Sequence, residues 1–134
     1  MPTYRQAVTA MQDYFNTSWN DDTPVLFDDD AQDVPEETFV RFNVQHNEGF
    51  QSTMGAPGNN RFQRRGLVIV QIFQKQGDFA IDAREKAENA LALFAGVTNS
   101  DIYYYDGYIR EVGNDGRGWY QINVVTSFRY DEIT

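Results

Sequence analysis

Two stretches of this chain alternate as β-strands do, and the polar segment between them constrains the sheet they can build. In "ETFVRFNVQ", Val40, Phe42 and Val44 alternate with Arg41, Asn43 and Gln45, the period of a strand with one buried face. "LVIVQIF" (67–73) is apolar on both parities over its first half, the pattern of a central strand covered on both sides. Between them lies "HNEGFQSTMGAPGNNRFQRRG", residues 46–66. Loops longer than about 12–15 residues without secondary structure are uncommon in compact domains. Phe50 and Met54 on one side and Phe62 on the other flank "GAPGNN", where Pro57 fixes φ and Gly58 supplies a positive φ. The segment therefore reads as a two-stranded ribbon reaching beyond the sheet, with its turn near Pro57 to Asn60. Such a ribbon is marginal alone in water and gains order by lying on another surface. It is a candidate arm whose partner is another chain.

The remaining periodicities supply the rest of the domain. Thr3 is placed to cap a helix, and Tyr4, Val8, Met11 and Phe15 share one face of it, with Asn16 through Asp22 breaking it. "PVLFDDD" is a short strand with an acidic exit, and "AQDVPEE" a loop. Gly77-Asp78 opens a second helix, with Asp78 as its cap. Phe79, Ala83, Ala87, Ala90, Leu91 and Phe94 form its stripe, and Gly96 is its stop. The small alanines would let that helix lie close to a sheet. "DIYYYDGYIREV" and "GWYQINVVTSFRY" are two further strands joined through "GNDGRG", where Asp115-Gly116 is a hairpin-turn signal. In the last strand Tyr120, Ile122, Val124, Thr126, Phe128 and Tyr130 share a face, opposite Gln121, Asn123, Ser127 and Arg129. The expected fold is a single α+β domain spanning 1–134. It has a mostly antiparallel sheet, two helices packed on one face and a protruding β-hairpin arm.

Charge and composition narrow the function. A length of 134 residues suits one domain with a real core. The absence of cysteine excludes disulfides and thiolate metal sites. The N-terminal stretch has no continuous apolar region of the kind a signal peptide needs, and no run has the roughly 18 apolar residues of a membrane helix. The Asn16-Thr17-Ser18 sequon then has no expected use. A net charge of −9 opposes free wrapping of nucleic acid. The charge is uneven: Asp13 through Glu37 holds acidic residues and no Lys or Arg, whereas Arg61, Arg64 and Arg65 cluster. Opposite segments on one chain suit a head-to-tail contact between copies, or are two solvated loops.

Catalytic and cofactor chemistry finds little support. His46 is the only histidine, and with Glu48 it provides too few ligands for zinc; a strand-end histidine bonded to water or backbone is the expectation. Asp28, Asp29, Asp30 and Asp33 lack the apolar surroundings that raise the pKa of a general acid. There is no G-x-S-x-G elbow, and "GAPGNN" lacks a Walker lysine and a following helix. Strand alternation places Tyr103 and Tyr105 on one face and Tyr104 on the other. The exposed tyrosines are expected to serve a protein contact, where tyrosine is a favoured anchor. No enzymatic activity and no cofactor or metal are expected.

The segment from "TPVLFDDD" through "FQRRGLVIVQIF" resembles the tail terminator, or tail completion, proteins of phages with long non-contractile tails. So does the overall plan: N-terminal helix, acidic segment, strand pair with a G-x-x-G-x-x-R-F connector, alanine-rich helix and C-terminal hairpin. The most specific part is Phe42 through Gly66. The resemblance implies a structural virion protein, assembled in the host cytoplasm and resident in the virion tail. It implies a homohexameric ring that caps the tail tube, ends tube polymerisation and meets the head connector in head–tail joining. Its partners would be further copies of itself, the tail tube protein and the head connector protein, with DNA passing through the lumen without specific binding. Phe50, Met54, Arg61, Phe62, Arg64 and Arg65 are then expected at a subunit or tube interface. Asp21, Asp22, Asp28, Asp29, Asp30 and Asp33 are expected to face a basic partner or the lumen. A head–tail connector or minor tail protein is the second reading. A small-molecule-binding α+β module is the third, and would need a concave pocket with convergent polar groups.

Overall fold

In the computed structural model, residues 3–19, 24–27, 38–75, 80–114 and 118–133 are described. Helix α1 (Tyr4–Ser18) starts at a capping box: Thr3 Oγ1 accepts from the Gln6 amide and the Gln6 side chain accepts from the Thr3 amide. Strand β1 (Val25–Phe27) lies parallel to β2 (Phe39–Gln51), which forms a hairpin with β3 (Arg61–Lys75). Helix α2 (Ala80–Phe94) crosses over to β4 (Thr98–Asn99), β5 (Ile102–Asn114) and β6 (Trp119–Ile133). The strands form one mixed six-stranded sheet in the order β1-β2-β3-β6-β5-β4, antiparallel apart from β1. This is the α+β architecture expected, with both helices on one face.

The core lies between that face and the helices. Val40, Phe42, Val68, Val70, Ile72, Ile122, Val124, Phe128 and Tyr130 point inward from β2, β3 and β6, the parity that alternation predicts. Phe15 of α1 stacks on Phe42 at 4.9 Å between ring centroids and lies 6.1 Å from Phe94 of α2, so one aromatic cluster joins both helices to the sheet. Ala83, Ala87 and Ala90 are fully buried, which lets α2 approach closely. That helix ends at Gly96, whose φ of +70° suits a residue without Cβ. Gly66 has a different reason: a Cβ there would lie 2.1 Å from the Gln45 carbonyl oxygen and 2.7 Å from the Phe128 ring. The expected Asp78 cap, Phe79 and the Asp115-Gly116 turn fall outside the described residues.

Two sequence expectations need correcting. The buried stripe of α1 is Ala7, Met11 and Phe15, whereas Tyr4 is exposed and Val8 only half-buried. The small Ala7 brings the helix against the sheet, and Tyr4 instead lies 4.5 Å from the His46 ring. Strand β3 is central in the sheet, but helices cover one of its faces. Leu67, Ile69 and Phe73 on the other are half-buried, sheltered by in-plane neighbours such as Val125 beside Ile69. Apolar residues on both parities reflect that lateral crowding, as antiparallel sheets often leave one face open.

The β4–β5 hairpin turns through two residues, Ser100 and Asp101, at φ 51° and 64°. Positive φ at both central positions of a two-residue loop is the type I′ arrangement, for which Asn-Gly is preferred. Ser100→Asn combined with Asp101→Gly is expected to raise unfolding stability by roughly 1 kcal/mol, read from urea midpoints at unchanged slope. Phe42→Ala is expected to lower it by about 3–5 kcal/mol, because the ring is fully buried against three aromatic neighbours.

Candidate functional site

The hairpin arm is built from the ends of β2 and β3. Their pairing continues past a register shift at Asn47/Phe50 to Gln51↔Phe62, and Ser52 N then donates to Arg61 O at 2.8 Å. The tip is closed by its own hydrogen bonds. Asn60 Oδ1 accepts from Ala56 N at 3.1 Å, Asn59 N donates to Ala56 O at 2.8 Å, and Arg61 N donates to Thr53 Oγ1 at 2.6 Å. Gly58, at φ +85°, makes the turn that was expected there. The arm differs from the expected two-stranded ribbon in one respect. Strand β6 runs beside β3 to Arg61↔Ile133, so three strands brace it and only residues 52–60 extend further. A three-stranded segment holds its shape without help from a partner.

Alternation divides the six candidate arm residues between two sides. Arg64 lies in register with the inward-facing Tyr130, on the helix side, and Phe62 shares that side. Phe50, Arg61 and Arg65 lie on the opposite side, and Met54 is at the tip. Met54 is 85% exposed and Phe50 49%. The arginines have neighbours within the chain. Arg61 faces Asp131 at 3.7 Å, and Arg64 Nε donates to Glu132 Oε2 at 3.2 Å. Both pairs lie at the surface, with the arginines more open than their half-buried carboxylate partners, and are worth little individually. Arg65 Nε donates to Gln63 Oε1 at 2.6 Å, and its guanidinium lies 5.1 Å from the Phe50 ring centre. Arg64 lies 5.3 Å over Phe62. These contacts orient the side chains. The acidic candidates Asp21, Asp22, Asp28, Asp29, Asp30 and Asp33 lie outside the described residues.

At the base of the arm, His46 Nε2 shares a 2.8 Å hydrogen bond with the Tyr130 hydroxyl, a side-chain partner rather than a backbone one, and its ring lies edge-on to Phe128. Burial, assisted by nearby Arg64, holds the imidazole pKa below its usual value, with Glu132 acting the other way. Burial likewise pushes the Tyr130 phenol up to about 12, with Glu132 adding to the shift. No cluster of three or more His, Asp or Glu side chains able to hold a metal occurs among the described residues.

On the strand face without helices, Arg129 of β6 lies over Tyr103 at 5.0 Å and Tyr105 at 5.9 Å. Tyr104 points the other way and is buried against Phe94, as alternation requires. Tyr103 and Tyr105 are each nearly half exposed. Parity separated Tyr104 from Tyr103 and Tyr105, but it could not show which side is exposed, that Arg129 joins the exposed pair, or that Asp131 and Glu132 meet the arm. Those contacts depend on the β3–β6 and β5–β6 registers, which link residues far apart in the chain.

A groove of about 710 Å³ runs along α1 beside the β4–β5 turn, lined by residues that include Arg5, Gln6, Asp13, Tyr14, Asn99 and Ser100. It is wide-mouthed, and most of its polar groups lie along a single helix rather than converging on a point. Tyr14, at its edge, donates its hydroxyl hydrogen to the Leu93 carbonyl at 2.6 Å.

No family model and no curated protein matches this chain. Among solved structures, one superposes with a TM-score of 0.70 at 15% identity, covering 97% of this chain and 96% of that one. The name of that protein states no function. The likeness establishes a shared fold.

Because the folded state holds His46 less protonated than the unfolded chain, stability from this group is fully present above pH 6.5 and is lost as pH falls below it. The unfolding free energy of the wild type should therefore drop more steeply between pH 6.5 and 5 than that of His46→Gln. Parallel pH slopes for the two proteins in denaturant titrations would contradict this.

Proposed function

We propose that this protein is a structural subunit of a phage tail, a terminator that assembles as a ring on the tail tube, stops its growth and meets the head connector. The observation that supports it most is the arm tip: Met54 and Phe50 are presented to solvent at the end of a three-stranded, internally hydrogen-bonded projection. Exposed apolar side chains on a pre-shaped support are what a protein contact uses, since little freedom is lost on binding. The resemblance of Phe42 through Gly66 to tail terminators gives the contact its setting. In this reading the arm meets a neighbouring subunit or the tube, and the role requires no bond to be made or broken. The acidic segment Asp21 to Asp33 faces a basic partner or the lumen, where carboxylates would repel DNA phosphates and let the genome slide past. The ring is a hexamer on the tube.

The test is to add the purified protein to assembling tail tubes and measure tube lengths by electron microscopy. Shorter, capped tubes are expected, with the effect lost for Met54→Asp combined with Phe50→Ser. An unchanged length distribution would overturn the reading. Attachment to heads but not to tubes would move the protein to the connector.

A further inference from the structure

The face of the sheet that neither α1 nor α2 covers concentrates positive charge in an acidic protein. Among residues in register on that face, Arg41, Arg61, Arg65, Lys75, Arg110 and Arg129 meet one carboxylate, Asp131, which faces Arg61. Those are six of the chain's 11 basic residues and one of its 20 acidic residues. Among the described residues elsewhere, Asp13, Glu85, Glu88, Asp101, Glu111 and Glu132 outnumber Arg5, Arg64, Arg84 and Lys86, so the described surface away from this face is net anionic.

The registers arrange these charges in rows across the strands. One row runs Arg41, Gln71, Asn123, Arg110, with a cation at either end and amides between. Another places Arg65 directly opposite Arg129, followed by Tyr103. Like charges at directly opposed positions of an antiparallel pair are destabilising unless an anion lies between them. Both guanidiniums are also braced by rings, Arg65 on Phe50 and Arg129 on Tyr103 and Tyr105, and the buried Arg129 Nε has no hydrogen-bond acceptor. None of Arg41, Arg65, Arg110 and Arg129 forms an ion pair among the described residues. Tyr108, 59% exposed, projects between the two rows beside Val125. Positioned cations, exposed tyrosines and a half-covered apolar centre are the composition of a protein interface.

We infer that this face, centred on Arg65 and Arg129, docks carboxylates on the anionic surface of a second copy of the chain, in a head-to-tail contact. This deepens the tail-ring reading and rests on it for the setting. Charge complementarity selects a copy as the occupant: the chain carries a net charge of −9, opposite in sign to this face, and unlike surfaces meeting head-to-tail close into a ring when the rotation permits. Nucleic acid fits less well, because approach to the face also brings its phosphates toward that anionic body.

The test is sedimentation equilibrium of the full chain, without tubes, at about 50 mM and about 500 mM salt, where screening differs several-fold. Self-association is expected at low salt and should weaken about tenfold or more at high salt. Arg65→Glu and Arg129→Glu should each weaken it at least tenfold. The peripheral pair Arg41→Glu and Arg110→Glu should weaken it less, with folding checked by far-UV circular dichroism. A monomer at hundreds of micromolar in low salt, or association unaffected by any of these variants, would overturn the inference. So would tight binding of a fluorescent single-stranded oligonucleotide that is lost with Arg129→Glu, in the absence of self-association. If tubes are still shortened by a protein that fails these assays, the tail reading stands without this interface. If association depends on Arg65 and Arg129 but tubes are unaffected, the interface stands and the tail reading falls.

Discussion

The antiparallel ladder between β3 and β6 holds the molecule together. It pairs residues without interruption from Arg61↔Ile133 to Lys75↔Trp119. Its inward side chains, Val68, Val70, Ile72, Ile122, Val124 and Phe128, form the floor on which both helices rest. Its far end stiffens the hairpin arm, and its outward side sets Arg65 opposite Arg129. Core, arm and charged face are thus consequences of one pairing. A register slip of one residue would turn the apolar set to solvent and scatter the arginine rows at once.

The two faces of that ladder do different work. The helix side is closed by aromatic contacts among Phe15, Phe42 and Phe94, with Ala83, Ala87 and Ala90 setting the approach of α2. The other side keeps half-sheltered apolar residues amid arginines and amides. Core burial supplies most of the stability on one side. On the other, surface ion pairs such as Arg61–Asp131 add little. The open face can therefore change its charges at small cost to the fold, which is why charge substitutions there are informative about association.

Much of this was legible in the sequence because it depends on local period. Val40 and Phe42 inward, the alanine stripe of α2, the inward set of β6 and the split of Tyr104 from Tyr103 and Tyr105 all follow from spacing. Features that depend on long-range register were not legible. Nothing in "RFQRRG" says that Ile133 lies beside Arg61, so the bracing of the arm and the pairing of Arg61 and Arg64 with Asp131 and Glu132 could not be foreseen. The α1 stripe was misread because counting apolar bulk favours Tyr4, while close approach selects Ala7. The double apolar parity of β3 was misread because strand neighbours shelter a side chain about as well as a second layer does. Of the candidate site, the tip and its turn were visible in the composition of "GAPGNN". The cluster around Arg129 was not.

The breaks in register have a consequence for how copies can meet. They fall at Asn47/Phe50 between β2 and β3, and at Tyr104/Gly107 and Glu111/Gly113 between β5 and β6, whereas the central ladder has none. Among the described residues, only the three-residue β1 lies outside β2, and only the two-residue β4 outside β5. Most of the backbone rim of the sheet thus belongs to strands that are kinked out of line, and a kinked rim is a poor template for adding another strand. Open-ended growth by edge joining is discouraged by the backbone itself, so a contact between copies would fall to side chains rather than to strand pairing.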